Sequence, residues 1–336
     1  MNLVDDATIV KGLFPFTLTR SPADIRIGIL TIREKWAQTP GADTLAVIPS
    51  HILPSQQVVD CLRTSTPLPP GIASIEHPWH IFHYNDPAIR QDFALLTAGR
   101  QSAPVPSSNK VRNPEQVFLE PGAVVEDCII NASTGPVWIG RGALVMEGSM
   151  IRGPVALCEG SVVKMGAKIY GATTIGPYCV AGGEIKNSVM FGYSNKAHDG
   201  YLGDSVLGEW CNLGAGTSNS NLKNNGGNVR PFNPLTGQYA VAGIKCGLLM
   251  GDYSRAAINT SFNTGTVTGV CCNIFCDGLT PTWIPSFSWG CEGKRYEFDK
   301  AIRDVAVWKN FKHQELTKEE IQKLQFIFDN NSTNSP

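Results

Sequence analysis

Seven aliphatic residues, Ile139, Val145, Ile151, Leu157, Val163, Ile169 and Ile175, recur every six positions without a miss. Four residues after each stands a small or β-branched residue: Ala143, Ser149, Val155, Ser161, Ala167, Thr173 and Cys179. A period of six serves neither an α-helix, which repeats at about 3.6, nor a lone strand, which repeats at about 2. It fits one short strand plus one turn, and three such units close a triangular coil of parallel strands. The aliphatic side chains point into the prism and the small ones fill its corners. Gly140, Gly148, Gly160, Gly166 and Gly176 supply strained turn angles, which suits a chain with 34 glycines and no collagen period. The ruler restarts with five- and six-residue steps at Leu202, Leu207 and Leu213 and fades by about Val267. A mainly β protein is expected, with a parallel β-helix of hexapeptide repeats over residues 116–289.

The flanks do not repeat. Residues 1–100 read as a small α/β domain, with Leu3–Val4 as the end of a short strand. Ser21-Pro22-Ala23-Asp24 predicts a helix start, with serine as N-cap, proline at the first position and a carboxylate at the third. Ile25, Ile29, Ile32 and Trp36 follow at helical spacing, and Pro40-Gly41 stops them. A second helix is predicted over residues 86–97, with Ile89, Phe93 and Leu96 as its buried stripe. Residues 101–115, rich in Ser, Pro and Asn, read as a linker. Residues 218–243 form an Asn/Gly/Pro-rich excursion too long for a rung, and loops of that length are usually functional. Residues 290–336 read as C-terminal helices, 298–308 and 318–328, and a tail, Asn330–Pro336, expected to be disordered. The capping box Thr317-Lys318-Glu319-Glu320 opens the second helix, and the pair is placed to cap the open end of the coil.

Charge and cysteine usage narrow the partners. Charged residues make up 17% of the 336 and the net charge is −1, so nothing favours nucleic acid or an anionic membrane. No apolar run reaches membrane-spanning length, and the first residues carry no basic leader. The ten cysteines show no CxxC pair, so reduced thiols in a cytoplasmic protein are expected.

The segment Lys196-Ala197-His198-Asp199-Gly200-Tyr201-Leu202-Gly203-Asp204 interrupts the ruler. Together with Cys211-Asn212-Leu213-Gly214-Ala215-Gly216-Thr217 and Asn221, it resembles the acetyltransferase half of the bifunctional N-acetylglucosamine-1-phosphate uridyltransferase / glucosamine-1-phosphate N-acetyltransferase family. That family carries Lys-Ala-Gly-His, a tyrosine three residues after the histidine, a Gly-Asp turn, an asparagine before Gly-Ala-Gly-Thr and another four residues beyond. His198, Tyr201, Asn212 and Asn221 stand at those positions. One glycine is missing between Ala197 and His198. The whole chain also resembles a Bacteroidetes-type variant of the family, described as sugar nucleotidyltransferases, through residues 18–36, 185–214 and 220–225. The resemblance implies a left-handed coil, acetyl-CoA as cosubstrate, a sugar phosphate as small-molecule partner and a homotrimer with sites between coils. It implies a truncated nucleotidyltransferase-like N-terminal domain, since the Gly-rich loop of a uridylyltransferase is absent. Mg²⁺ is implied only if that half is active.

The residues themselves support the chemistry. Acetyl transfer from a thioester to an amine needs a proton acceptor, and imidazole titrates near the working pH. His198 is the one histidine inside the coil, on a glycine-flanked turn, and is the expected catalytic base. On the family's pattern Tyr201, Asn212 and Asn221 would hold the sugar, while glycine-turn N–H groups could stabilise the oxyanion. Asn212 fits equally a structural asparagine ladder. Lys186 and Lys168, with Lys164 and Arg152 as further candidates, would meet the substrate phosphate. Lys223 and Lys245 would meet CoA phosphates.

Other clusters stay open. His77, His80 and His83 share one face if helical and alternate if extended, so a metal site there is one reading. A carbonic-anhydrase-type zinc site in the coil fails for want of three histidines. Arg20, Arg26 and Arg33 could engage a nucleotide or sugar phosphate or form a solvated face, and Asp5 and Asp6 could be remnants of metal-binding carboxylates. Three functions therefore compete: an amino-sugar-phosphate N-acetyltransferase, a sugar-1-phosphate nucleotidyltransferase, and a non-catalytic sugar-nucleotide-binding scaffold.

Overall fold

The computed structural model describes residues 1–330; the tail expected at 330–336 lies outside them except for Asn330, which ends a helix. The spine is a left-handed parallel β-helix with three faces. Ile139 pairs with Leu157, Val145 with Val163 and Ile151 with Ile169, each eighteen residues on, so three hexads make one turn. All seven ruler residues and all seven corner residues are buried, which explains why their size is restricted.

The first face runs from Val124–Val125 to Asn273–Ile274, and the second from Lys110–Arg112 to Tyr201–Gly203. The third runs from Val117–Leu119 to Trp283–Ile284. Lys110–Arg112 pairs with Ile129–Asn131, so the coil starts inside the segment read as a linker. Ser218–Asn219 pairs with Ser261–Phe262, so the expected excursion begins with a rung and leaves the coil after it.

The third face is buried on both sides. Its outward residues Phe118, Trp138 and Ala156 pack with Ile29 and Ile89, and Val189, Val206, Leu249 and Val267 pack with Phe14, Phe16 and Trp79. The N-terminal domain lies on this face. Within it are the helices α1 (Ala7–Gly12), α2 (Ile32–Ala37), α3 (Gln56–Thr64), α4 (His80–His83) and α5 (Asn85–Thr97), and Leu3–Val4 pairs with Ile48–Pro49. The helix predicted from Ser21 does not form. Ser21 caps only a 3₁₀ turn, Pro22–Asp24, and a hairpin, Arg26–Ile27 with Leu30–Thr31, follows. α2 begins instead at Thr31, which forms a capping box with Glu34.

Buried polar bonds impose that hairpin. Asn85 Oδ1 accepts from Gly28 N at 2.7 Å, and Asp92 Oδ2 accepts from Ile29 N at 2.8 Å and Leu30 N at 3.1 Å. Gly28 sits at φ +73°, where a Cβ would meet Ala88 backbone at 2.8 Å, so a helix cannot pass through it. Lys35, buried beside Asp92, completes the network with a direct ion pair. Ile25, Ile29, Ile32 and Trp36 are still all buried, in a different conformation.

The excursion reaches back to the same domain. Its hairpin, Phe232–Asn233 with Gln238–Tyr239, packs beside it, and Asn233 Nδ2 donates to Lys11 O at 2.8 Å. The loop is therefore a strap over the third face.

α6 (Phe298–Asn310) and α7 (Lys318–Asn330) lie along the corner between the third and first faces instead of capping the coil's end. The physical reason is an apolar spine there. Tyr178, Tyr193, Trp210, Tyr253, Cys271 and Phe287 occupy left-handed turn positions, φ 55–61°, and Tyr193 stacks on Trp210 at 4.3 Å. Trp210, Tyr253 and Phe287 are covered by Ala301, Val305, Leu324 and Ile327. The capping box of α7 is present: Thr317 N donates to Glu320 and Glu320 N to Thr317 Oγ1. At the coil's last turn Cys276 and Cys291 form a disulfide packed on the core, which corrects the expectation that all ten thiols are reduced.

Glu320 also accepts from Lys309 Nζ at 2.6 Å and from Tyr253 OH at 2.9 Å. Burial pulls its pKa up, but these bonds and the Thr317 N–H hold it net below the ordinary glutamate value. Its folded pKa is depressed, so its stabilising contribution is present above the unfolded value and is lost as pH falls through the folded one. The protection of α7 amides, taken relative to intrinsic exchange at each pH, is expected to fall below about pH 4.5, and Glu320→Gln should flatten that dependence. A pH-independent α7 in the native chain would contradict this.

Candidate functional site

With the third face covered and one corner under helices, the first–second corner carries the turns of interest. Residues 197–200 form one of them, between strands Asn195–Lys196 and Tyr201–Gly203. His198 and Asp199 are exposed on it. They border an open cleft of about 500 Å³, together with Lys164, Met165, Ile258 and Asn259 from turns on neighbouring rungs. Met165 and Ile258 are 69% and 68% exposed. Each is an apolar side chain left uncovered beside an imidazole and an ammonium.

The second face adjoins the cleft. Its register aligns Lys168, Glu184 and Tyr201 in one column and Tyr170, Lys186 and Gly203 in the next. Tyr170 OH donates to Glu184 Oε1 at 2.6 Å, and that bond, ahead of burial, raises the phenol to about 12. The Lys186 ammonium lies 5.7 Å from the Tyr170 ring centre. Asn221 Nδ2 donates to Tyr201 OH at 3.1 Å and also to Asp204, which accepts from Asn187 Nδ2 at 2.7 Å. Burial raises the Tyr201 phenol. Lys168, Lys186, Tyr201 and Asn221 are thus gathered on this face and its far corner, with His198 on the near corner.

The other expected residues fall elsewhere. Asn212 stands on the first face, bonded to Asn195 Nδ2 at 3.5 Å, which is the ladder arrangement, and it does not line the cleft. Lys223 and Lys245 sit at the base of the excursion, where Leu222 bridges to Lys245. Glu184, Met165 and Ile258 were not singled out from sequence. Glu184 was findable, since the column carrying Lys168 and Tyr201 must contain it.

The arginines of the N-terminal domain are engaged within the chain. Arg20 pairs with Asp252 and, at 3.4 Å, with Glu209; Arg26 donates to Ile29 O; Arg33 pairs with Asp24 at 2.6 Å. Asp5 accepts from Ser21 Oγ and Asp6 caps α1. In the HPWHIFH run only His80–His83 is helical, and His77 stacks on Trp79 at 4.5 Å. Among the described residues no group of three or more His, Cys, Asp or Glu side chains is arranged to hold a metal ion. No helix among them is long and apolar enough to cross a membrane.

Residues 1–68 match the family model described as sugar nucleotidyl transferase. The bifunctional protein GlmU of Rippkaea orientalis is 32% identical over 130 residues, covering 32% of this chain and 29% of that protein. GlmU of Methanocaldococcus jannaschii is 32% identical over 90 residues, covering 26% of this chain and 21% of that one. The chain therefore spans under a third of the length of these relatives. Among solved structures, a UDP-N-acetylglucosamine acyltransferase of Francisella novicida aligns over 67% of this chain and 88% of its own, at 11% identity and a TM-score of 0.33. The chain is thus similar to the sugar nucleotidyl transferase family over its first 68 residues and to the bifunctional GlmU proteins over about a third of its length.

Proposed function

We propose that this protein is a CoA-dependent N-acetyltransferase acting on an amino-sugar phosphate of the glucosamine-1-phosphate kind, with His198 as general base. The observation that carries this reading is the exposed imidazole of His198 in a cleft with an ammonium and two uncovered apolar side chains, beside a face bearing Lys168, Glu184, Lys186 and Tyr201. In the reaction the amine nitrogen attacks the thioester carbonyl; the C–N bond forms and the C–S bond breaks. His198 takes the ammonium proton and the thiolate leaves, to be protonated in turn. Met165 and Ile258 suit the apolar part of pantetheine, and Lys164 suits an anionic or carbonyl group of the acyl donor. Lys168 and Lys186 neutralise the sugar phosphate, Glu184 receives the amine as an ammonium, and Tyr201 and Asn221 hold the sugar.

The test is acetyl-CoA turnover with glucosamine-1-phosphate. Lys186→Ala should raise KM for the sugar phosphate about tenfold or more, with KM for acetyl-CoA little changed. No turnover of any amino-sugar phosphate by the native chain would overturn the proposal. A second reading, nucleotidyl transfer, rests on the match of residues 1–68. Against it stand the internal partners of Arg20, Arg26 and Arg33 and the missing Gly-rich loop, whose backbone would cradle a triphosphate. Calorimetry with UTP and Mg²⁺ separates the two. Assembly as a homotrimer, and a cytoplasmic location, belong to the same proposal; sedimentation of the native chain decides the first.

A further inference from the structure

One side chain inside the coil breaks its rule. The inward column of the first face reads Val145, Val163, Ala181 and Lys196, each paired in register with the next, and Leu213 follows beside the Asn195–Asn212 pair. Lys196 is 1% exposed, and lysine is almost never buried without a counter-charge. Its Nζ donates to Gly182 O at 3.2 Å and to His198 O. Among the described residues no carboxylate bonds it, although Asp199 lies near enough to favour its charge.

The space that admits the amine comes from the neighbouring corner column. Successive rungs there carry Ser149, Ala167, Gly183 and Gly200, linked by the bonds of Met150 N to Ala167 O, Lys168 N to Gly183 O and Glu184 N to Gly200 O. Where the other rungs put a buried small side chain, two consecutive rungs have none. A Cβ at Gly183 would meet His198 O at 2.8 Å and Gly200 O at 2.7 Å, and one at Gly200 would meet Thr217 O at 2.0 Å. The His198 carbonyl is thus turned into the emptied corner, where the Lys196 ammonium satisfies it. Turning that carbonyl inward directs the rest of the residue outward, toward the cleft.

We propose that Lys196 is the positioning residue of the site: an ammonium inside the coil that fixes the His198 turn from beneath through two backbone carbonyls. The assignment of a function to the turn rests on the acetyltransferase reading, whereas the positioning itself does not. Burial lowers the lysine to about 8, which agrees with a site supplying carbonyls and no bonded carboxylate.

The test uses the full chain with Lys196→Met and Lys196→Leu, which restore the aliphatic column. A lysine kept only for packing would be replaced without effect on the turn. The proposal expects thermal midpoints at or near the native value, yet amide exchange at residues 198–200 faster by about tenfold or more. It also expects a displaced His198 imidazole NMR signal. Lys196→Gln, shorter but still a donor, should recover part of both and covers the case in which the aliphatic variants do not fold. With acetyl-CoA and glucosamine-1-phosphate, kcat should fall about tenfold or more while KM for acetyl-CoA stays within about twofold. Unchanged exchange and an unchanged His198 signal in the folded variants would overturn the positioning role, whatever the activity. If the native chain transfers no acetyl group but exchange and the signal still change, the acetyltransferase reading fails and the positioning role stands.

Discussion

His198→Ala is expected to lower kcat for acetyl transfer by about 10²- to 10⁴-fold, the usual contribution of a positioned general base, with KM for the sugar phosphate little changed. The reason is spatial. His198 supplies the imidazole on the cleft, which Lys164 and Asp199 also line, and imidazole is the side chain most often used as a general base. The residues proposed to hold the phosphate and the sugar lie on the adjoining second face, which the substitution leaves in place. Asp199→Asn is the control, since it alters the same exposed turn without removing the base. Steady-state kinetics with both variants checks this. A His198→Ala enzyme with native kcat would remove the residue from the mechanism and leave the cleft without its base.

Asp92→Ala is expected to destabilise the N-terminal domain by about 3–5 kcal/mol, the range for breaking a buried ion pair from one side. The side chains of Lys35 and Asp92 are 3% and 2% exposed. Burial pushes the lysine pKa down and the carboxyl pKa up, each held against that by the other's charge. Losing the carboxylate strands an ammonium and also frees the Ile29 and Leu30 N–H groups that Asp92 Oδ2 accepts. Lys35→Met combined with Asp92→Leu should cost much less, because no charge is then left unpaired. Chemical denaturation of the single and double variants measures the difference. Equal losses in both would show that packing, not charge, holds this junction. Thr174 Oγ1 donates to Gly28 O at 2.9 Å, so the single variant should also loosen the domain from the coil.

How much of this was legible in the sequence varied with the kind of constraint. The hexapeptide coil was readable because its period is local and its interior repeats: Ile139 to Ile175 had to be buried once the period was six. The third face was readable in principle, since Phe118 and Trp138 stand where Met150 and Lys168 stand on the second face, but only after the register is known. The hairpin at Gly28 was not. Ser21-Pro22-Ala23-Asp24 is a sound helix start locally, and what overrides it comes from Asn85 and Asp92, sixty residues away.

The site was legible in the same uneven way. His198 stands on the cleft, and Lys168, Lys186 and Tyr201 share the second face that adjoins it; the stumble in the ruler marks the turn between the two. Asn212 does not join them, because strand alternation points it along the first face with Asn195. Arg20, Arg26 and Arg33 were indistinguishable from ligand-binding arginines until their partners Asp252, Ile29 and Asp24 were placed. Lys196 was hidden for the opposite reason: its neighbours in the motif drew attention outward, while its own side chain points in.

The aromatic spine beneath α6 and α7 bears on how the molecule comes apart. A stack of rungs touching only its neighbours would melt like a zipper, from whichever end is weaker. Here Lys312 reaches Tyr178 O and Tyr296 N donates to Phe287 O at 2.6 Å, so one terminal segment grips rungs from both halves of the stack. The N-terminal domain does the same along the third face, from Phe118 to Val267. Fraying of the early rungs is therefore tied to release of the N-terminal domain, and fraying of the later ones to release of α6 and α7 as well. Under a pulling force applied to the termini, these lashings should yield first and the bare coil should unwind in small steps afterwards.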